Sequence, residues 1–241
     1  DLHRPSVGFA AISLLEAAGC TVEVPSAQTC CGQPAYNSGD RQTARDLASG
    51  LVNTFLAYDY VVAPSGSCAG MLSKHAPHLF DDDPNLRAKA DALAAKTYEL
   101  TAFLADVMHF TPSPTPLATT ATYHDSCAGL RELGVKTQPR ALLAAIPGLT
   151  LTEMTEPEQC CGFGGTFCVK YPAISSHMVT NKTEDIEATE ANLLLAGDMG
   201  CLLNMAGALS RNGSKIEVRH IAEVLAGTTQ ASPAIGKPTA K

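Results

Sequence analysis

Two adjacent cysteines, a glycine and a distant third cysteine occur twice in this 241-residue chain: Cys30-Cys31-Gly32 with Cys68, and Cys160-Cys161-Gly162 with Cys201. The third cysteine follows the pair by 37 residues in the first copy and by 40 in the second. Each time it closes an aliphatic run and a small-residue turn, Val61-Val62-Ala63-Pro64-Ser65-Gly66-Ser67 before Cys68 and Leu193-Leu194-Leu195-Ala196-Gly197-Asp198-Met199-Gly200 before Cys201. Thiolate is the preferred ligand of iron–sulfur clusters and a good one for zinc, and both take about four protein donors. The second copy has four, because Cys127, in Tyr123-His124-Asp125-Ser126-Cys127, lies 33 residues before Cys160. The same step back from Cys30 falls ahead of Asp1. An upstream segment holding the first copy's first cysteine is therefore expected, and the site of Cys30, Cys31 and Cys68 is expected to be incomplete within residues 1–241.

These spacings differ from the local Cys-x-x-Cys knuckles of zinc fingers and ferredoxins, so the ligands must converge by tertiary folding and a bound metal would staple the domain. Gly32, and Gly162 with Gly164 and Gly165, follow the pairs. Small residues there suit a tight turn and let backbone N–H groups approach sulfur.

The elements that must position these thiols read as an α/β alternation. In the first copy, apolar spacing predicts a helix over 5–18, a strand over 21–24, a helix over 41–57 and a buried strand over 60–63 ending just before Cys68. Residues 81–110 read as helical and 111–116, Thr-Pro-Ser-Pro-Thr-Pro, as a linker. The second copy predicts strands over 120–123, 149–152 and 193–196, helices near 138–145 and within 172–193, and a last strand and helix within 216–225. The expected fold is α/β, two pseudo-symmetric repeats (1–115 and 116–227), each a small parallel sheet with flanking helices, followed by a disordered tail over 228–241. Cys127 and Cys201 then follow strands, at the carboxyl edge where open parallel sheets keep their sites and helix N-termini favour anions.

Composition narrows the function. Hydrophobic residues make up 45% and charged residues 17%, with no apolar run approaching the roughly 18 residues of a membrane span. The net charge of −7 argues against nucleic-acid phosphate and anionic membrane surfaces. Nine cysteines, an odd number with two vicinal pairs, fit metal-bound thiolates in a reducing, cytoplasmic compartment better than a disulfide scaffold.

The segments Thr29-Cys-Cys-Gly-Gln-Pro-Ala-Tyr-Asn-Ser-Gly39, Pro64-Ser-Gly-Ser-Cys68, His124-Asp-Ser-Cys127 and Cys160-Cys-Gly-Phe-Gly-Gly-Thr166 resemble the cysteine-rich CCG-domain family over about residues 1–225. Its lactate-utilising members are the most similar, with the iron–sulfur subunits of glycolate oxidase and the cysteine-rich subunits of heterodisulfide reductase as relatives. The resemblance implies two α/β domains with iron–sulfur centres, of 4Fe-4S type, in a complex that passes electrons from oxidation of L-lactate to pyruvate. It further implies other subunits as partners, a ferredoxin-type iron–sulfur protein among them. The ligands it implies are Cys30, Cys31 and Cys68 for one centre and Cys127, Cys160, Cys161 and Cys201 for the other. The disulfide-reducing relatives end each motif in Cys-x-x-Cys, whereas Met71 and Asn204 stand in the last place here. That departure favours a four-ligand cluster over a five-thiolate centre.

Other residues carry weaker signals. Cys20 reads as a buried small hydrophobe, and Cys168 as a spare thiol near the second site. His124 could donate to a cluster sulfur, although a satisfied strand-end histidine is the default. His75 and His78 bring no carboxylate of their own and read as a solvated face, and Asp81-Asp82-Asp83 as a turn with a helix cap. Neither a dinucleotide fingerprint nor a phosphate-loop motif is present, so the cofactor for hydride removal is expected on partners. Two other functions accept the same thiols: a zinc-stabilised interaction module, and a thiol–disulfide enzyme using Cys160 or Cys161.

Overall fold

The computed structural model describes residues 4–113 and 115–237. Pro114 of the expected linker and residues 238–241 of the expected tail lie outside them.

The first half opens with α1 (Pro5–Ala17), which has proline in its first turn and buries Val7, Ala10, Ala11, Leu14 and Leu15. Next come α2 (Gln33–Ser38) and α3 (Arg41–Phe55), the latter capped by Asp40, whose side chain accepts from the Thr43 N–H. Strand β1 (Val61–Ala63) leads into α4 (Gly66–Gly70), which runs on through a π-helical turn (Met71–His75) and a 3-10 turn (Ala76–Phe80). Helix α5 (Pro84–Ala94), capped by Asp83, is followed by β2 (Thr97–Glu99) and α6 (Leu100–Ala102), which continues as a π-helical turn (Phe103–Val107).

The second half contains β3 (Thr119–His124), α7 (Cys127–Leu133), α8 (Thr137–Ala144) and β4 (Leu149–Leu151). It continues with α9 (Phe167–Lys170), α10 (Pro172–Ala188), β5 (Leu193–Ala196), α11 (Met199–Arg211), β6 (Glu217–His220) and α12 (Ile221–Leu225).

Among the described residues every strand pairing is parallel. The first sheet is β1-β2 and the second β4-β3-β5-β6. The two are related element by element. Ala63 pairs with Glu99 as Ala196 pairs with His220. Both Glu99 and His220 end their strand and cap the helix that follows, accepting from the N–H groups of Thr101 and Ala102 in one case and Ala222 in the other. The chain is thus an α/β fold of two repeats with parallel sheets and flanking helices.

Among the described residues, three apolar clusters hold it. One belongs to the first half around Phe80, Met71 and Val52, and one to the second around Leu202, Met205 and Ile186. The third joins them: α1 and the Leu100–Leu104 stretch bury their apolar faces with β3, β5, α8 and α12.

Two expected elements differ. Residues 81–110 are not one helix, because Thr97-Tyr98-Glu99 leaves α5 to pair with β1. Residues 21–24 form no strand: Val22 and Val24 line a groove beside β1, and no neighbour among the described residues supplies their ladder. In the tail, 228–237 has no helix or strand, yet Ala234 and Ile235 are buried and the Ile235 N–H donates to the Val218 carbonyl at 2.8 Å.

Candidate metal centre

In the second half, three chain segments bring four thiols together. Cys127 opens α7, after Ser126 caps that helix by accepting from the Gly129 N–H. Cys201 is the third residue of α11, after Asp198 caps it through the Gly200 N–H. Cys160 and Cys161 come from the loop between β4 and α9. The Cys127 thiol hydrogen-bonds to Cys160, Cys161 bonds to Cys160 as well, and Cys161 bonds to Cys201.

These contacts set which sulfur carries charge. Cys160 accepts from Cys127 and Cys161 and takes the Gly162 N–H at 3.4 Å, so its thiolate is strongly favoured. The partner thiols Cys127 and Cys161 are correspondingly held protonated, by those hydrogen bonds first and burial second. At Cys201 the bond from Cys161 favours the thiolate, but burial and the nearby charges of Asp198 and Cys160 outweigh it and raise the pKa. Such a cluster shares protons that an incoming cation would displace.

His124 completes the arrangement. An imidazole nitrogen of His124 and the sulfurs of Cys161 and Cys201 lie within 4.8 Å of one another. The ring is fully buried, and neither nitrogen has a hydrogen-bond partner among the described residues. Burial, with the Lys182 charge, lowers its pKa to about 3, so the ring is neutral and can offer a lone pair. A satisfied strand-end histidine is therefore not what the fold contains. An orphaned imidazole among converging thiols fits a metal or cluster, since leaving such atoms unpaired is otherwise costly.

The loop itself is held from several sides. Gly162 has φ +81°, and a Cβ there would come within 2.7 Å of the Ser175 carbonyl oxygen. The Ser175 hydroxyl donates to the Gly162 carbonyl at 2.8 Å, the Asn204 amide donates to the Cys161 carbonyl at 2.8 Å, and Lys182 Nζ donates to the Glu156 carbonyl at 2.7 Å. Asn204 thus occupies the final motif position as a clamp on the loop. On the Cys127 side, Arg140 grips the buried Asp125 carboxylate with two bonds of 2.9 Å and also binds Glu153.

The first half repeats this in reduced form. Cys68 is the third residue of α4, after Ser65 caps that helix by accepting from the Cys68 N–H. Cys31 donates to Cys68, which lowers the Cys68 pKa and raises that of Cys31. Cys30 is exposed beside them, close enough for its charge to act on Cys31. Backbone N–H groups two residues on point at the second sulfur of each pair, Gln33 at Cys31 and Phe163 at Cys161. Met71 is fully buried in the core.

The two clusters adjoin. The Asp198 carboxylate accepts from the Ser65 hydroxyl and the Ser67 N–H, each at 3.1 Å, so one helix cap is bonded to the other across the halves. Ser38 and Thr166, beyond the two cysteine pairs, are 3.5 Å apart. His75 is not on a solvated face: Glu132 of the other half bonds it at 3.1 Å and Tyr36 packs on its ring. His78 is exposed beside Asp81, and Asp83 is a helix cap. Cys20 packs against the shared core, and the Cys168 thiol donates to the Gly165 carbonyl at 3.3 Å. Asp198 and Glu132, which join the halves, were not singled out from sequence. Only Asp198 carried a signal, its position three residues before Cys201, matching Ser65 before Cys68.

Comparison with known proteins agrees with the duplication. The family described as Cysteine-rich domain, CCG, matches twice, over residues 1–73 and 121–206. Proteins called Lactate utilization protein A are similar along most of the chain: 51% identical in Geobacillus kaustophilus, 48% in Bacillus cytotoxicus and 45% in Bacillus cereus. Each aligns over 225 residues, 93% of this chain and 94% of the relative.

Proposed function

The chain belongs to the cysteine-rich CCG family, and from that premise we propose that it is the iron–sulfur electron-transfer subunit of a system oxidising L-lactate to pyruvate. The observation that carries the reading is the convergence of the half-buried Cys127 and Cys160 with the buried Cys161 and Cys201, beside a His124 ring with no hydrogen-bond partner among the described residues. These four cysteines would hold one cluster, of 4Fe-4S type, and Cys30, Cys31 and Cys68 would hold the second together with one further ligand. A cluster bound there supplies one-electron transfer.

The residues around it have defined tasks. The N–H groups of Gly162 and Phe163, and of Gln33 in the first half, aim at sulfur and would raise the reduction potential of a bound cluster by stabilising negative charge. Asn204 and Lys182 keep the loop in register by binding its carbonyls, and the Arg140–Asp125 pair fixes the segment that presents Cys127. The hydroxy acid itself would be oxidised on partner subunits, with a ferredoxin-type iron–sulfur protein among the electron partners. The names of the relatives support lactate as the substrate of the system. Anaerobic protein mixed with its partner subunits should bleach in its visible absorption on addition of L-lactate. An unchanged spectrum with lactate, alongside bleaching by dithionite, would remove lactate from the proposal.

The proximity of His124 to Cys161 and Cys201 favours a second reading, a structural zinc held by mixed Cys and His ligands. Metal analysis separates the two.

A further inference from the structure

His124 closes β3, a strand paired on both sides, with Ala196 opposite it on β5 and Cys127 three residues further on. Side chains alternate along a strand, so Thr122 and His124 share one face of β3 and Tyr123 takes the other. Tyr123 joins the core shared by the halves, which turns His124 to the side of Cys161 and Cys201. There an imidazole nitrogen and the two sulfurs lie within 4.8 Å of one another. The ring is fully buried, and neither nitrogen has a hydrogen-bond partner among the described residues. Lys182, whose charge is felt at the ring, directs its own ammonium at the carbonyls of Glu156 and Pro157. A polar ring is therefore held against the thiols by a strand that cannot turn it elsewhere, although leaving both nitrogens unpaired is costly.

The donor set limits what this ring can do. A four-iron cluster takes four thiolates, and Cys127, Cys160, Cys161 and Cys201 are the four of the proposed function. The imidazole is then a fifth group with no iron left to bind. In either protonation state it carries an N–H, and cluster sulfurs are acceptors that gain negative charge when an electron is added. Among the described residues the first half offers its thiols no such ring. His75 is bonded to Glu132, and His220 donates to the Pro64 carbonyl while accepting from the Ala222 N–H.

We propose that His124 donates an N–H hydrogen bond to a sulfur of the cluster at the second site and through that bond raises the reduction potential of this centre. The inference rests on the iron–sulfur reading and deepens it by assigning the side chain that tunes one centre and not the other.

The test uses anaerobic, cluster-bearing protein labelled at histidine nitrogen, with the second centre identified as the one lost in Cys161→Ser. Pulsed electron paramagnetic resonance of the reduced wild type should show one histidine nitrogen weakly coupled to the electron spin, together with an exchangeable proton. His124→Leu, which removes both unpaired nitrogens, should lose both signals and keep its iron. Its second centre should shift about tenfold toward the oxidised form in a redox titration, about 59 mV for a one-electron couple, with the potential of a first-site cluster unmoved. A strongly coupled histidine nitrogen in the wild type would mark a ligand and overturn the proposal, and the absence of any such coupling would overturn it too; neither observation depends on the variant. An unchanged potential in His124→Leu, or loss of the second centre's iron, also overturns it. Protein isolated without iron and labile sulfide would instead refute the iron–sulfur reading, and this inference with it.

Discussion

Gly32 and Gly162 occupy the same place in the two motifs and have nearly the same backbone, φ +86° and φ +81°. Alanine at either position bears the left-handed conformation, which costs roughly 1–2 kcal/mol for a residue with a Cβ. Their surroundings differ. A Cβ on Gly32 would meet the Ala44 carbonyl oxygen at 3.5 Å, ordinary contact, whereas on Gly162 it would stand 2.7 Å from the Ser175 carbonyl oxygen and 3.0 Å from Met178 Cβ. Backbone cannot yield as a flexible side chain does, so Gly162→Ala adds an overpacking cost of about 1–3 kcal/mol. The Ser175 hydroxyl bond to the Gly162 carbonyl is strained by the same shift. Urea denaturation of metal-free protein under reducing conditions should show Gly32→Ala less stable by about 1–2 kcal/mol and Gly162→Ala by roughly 2–5 kcal/mol. Equal losses for the two variants would refute the reasoning, since only the neighbour of the added carbon distinguishes them.

Removal of the Arg140 side chain leaves the buried Asp125 carboxylate without its partner, so Arg140→Ala should lose about 3 kcal/mol or more in urea denaturation, and Asp125→Asn should recover part of it. Asn204→Ala removes one hydrogen bond to the Cys161 carbonyl and should cost about 0.5–1.5 kcal/mol, with faster loss of metal from the second site to a chelator. Glu99 is fully buried, and burial raises its pKa from 4.5 to about 7, so the folded state holds a proton that the unfolded state releases. Stability should therefore fall as pH rises from about 4.5 to about 7, by a total on the order of 3 kcal/mol from this group, and Glu99→Gln should flatten that part of the profile in denaturation measured across the range.

The cysteine pattern made the duplication legible because ligands that converge in space still leave spacings in sequence, and the long helices showed through their apolar periodicity. Strand β2 did not. Three residues between two alanine-rich helical stretches carry too little pattern to outweigh their flanks, and Thr97–Glu99 is a strand only because β1 lies beside it. Residues 21–24 failed in the opposite sense: the β-branched residues are there, but a strand exists only where a neighbour can bond it. His124 was legible as a residue near the site but not as an orphan, because its isolation depends on what surrounds it in the fold. The Asp198 link between the two helix caps and the Glu132–His75 pair join residues more than 50 positions apart, and pairings of that range have no local signature.

The central claim, that the converging thiols hold iron–sulfur clusters, is tested most directly by iron, acid-labile sulfide and zinc measured per chain on anaerobically isolated protein, wild type and Cys161→Ser. The account predicts brown protein with iron and sulfide in equal amounts, and about four fewer irons per chain in Cys161→Ser if the cluster is of the four-iron type. Colourless protein with about one zinc per motif and no labile sulfide would contradict it.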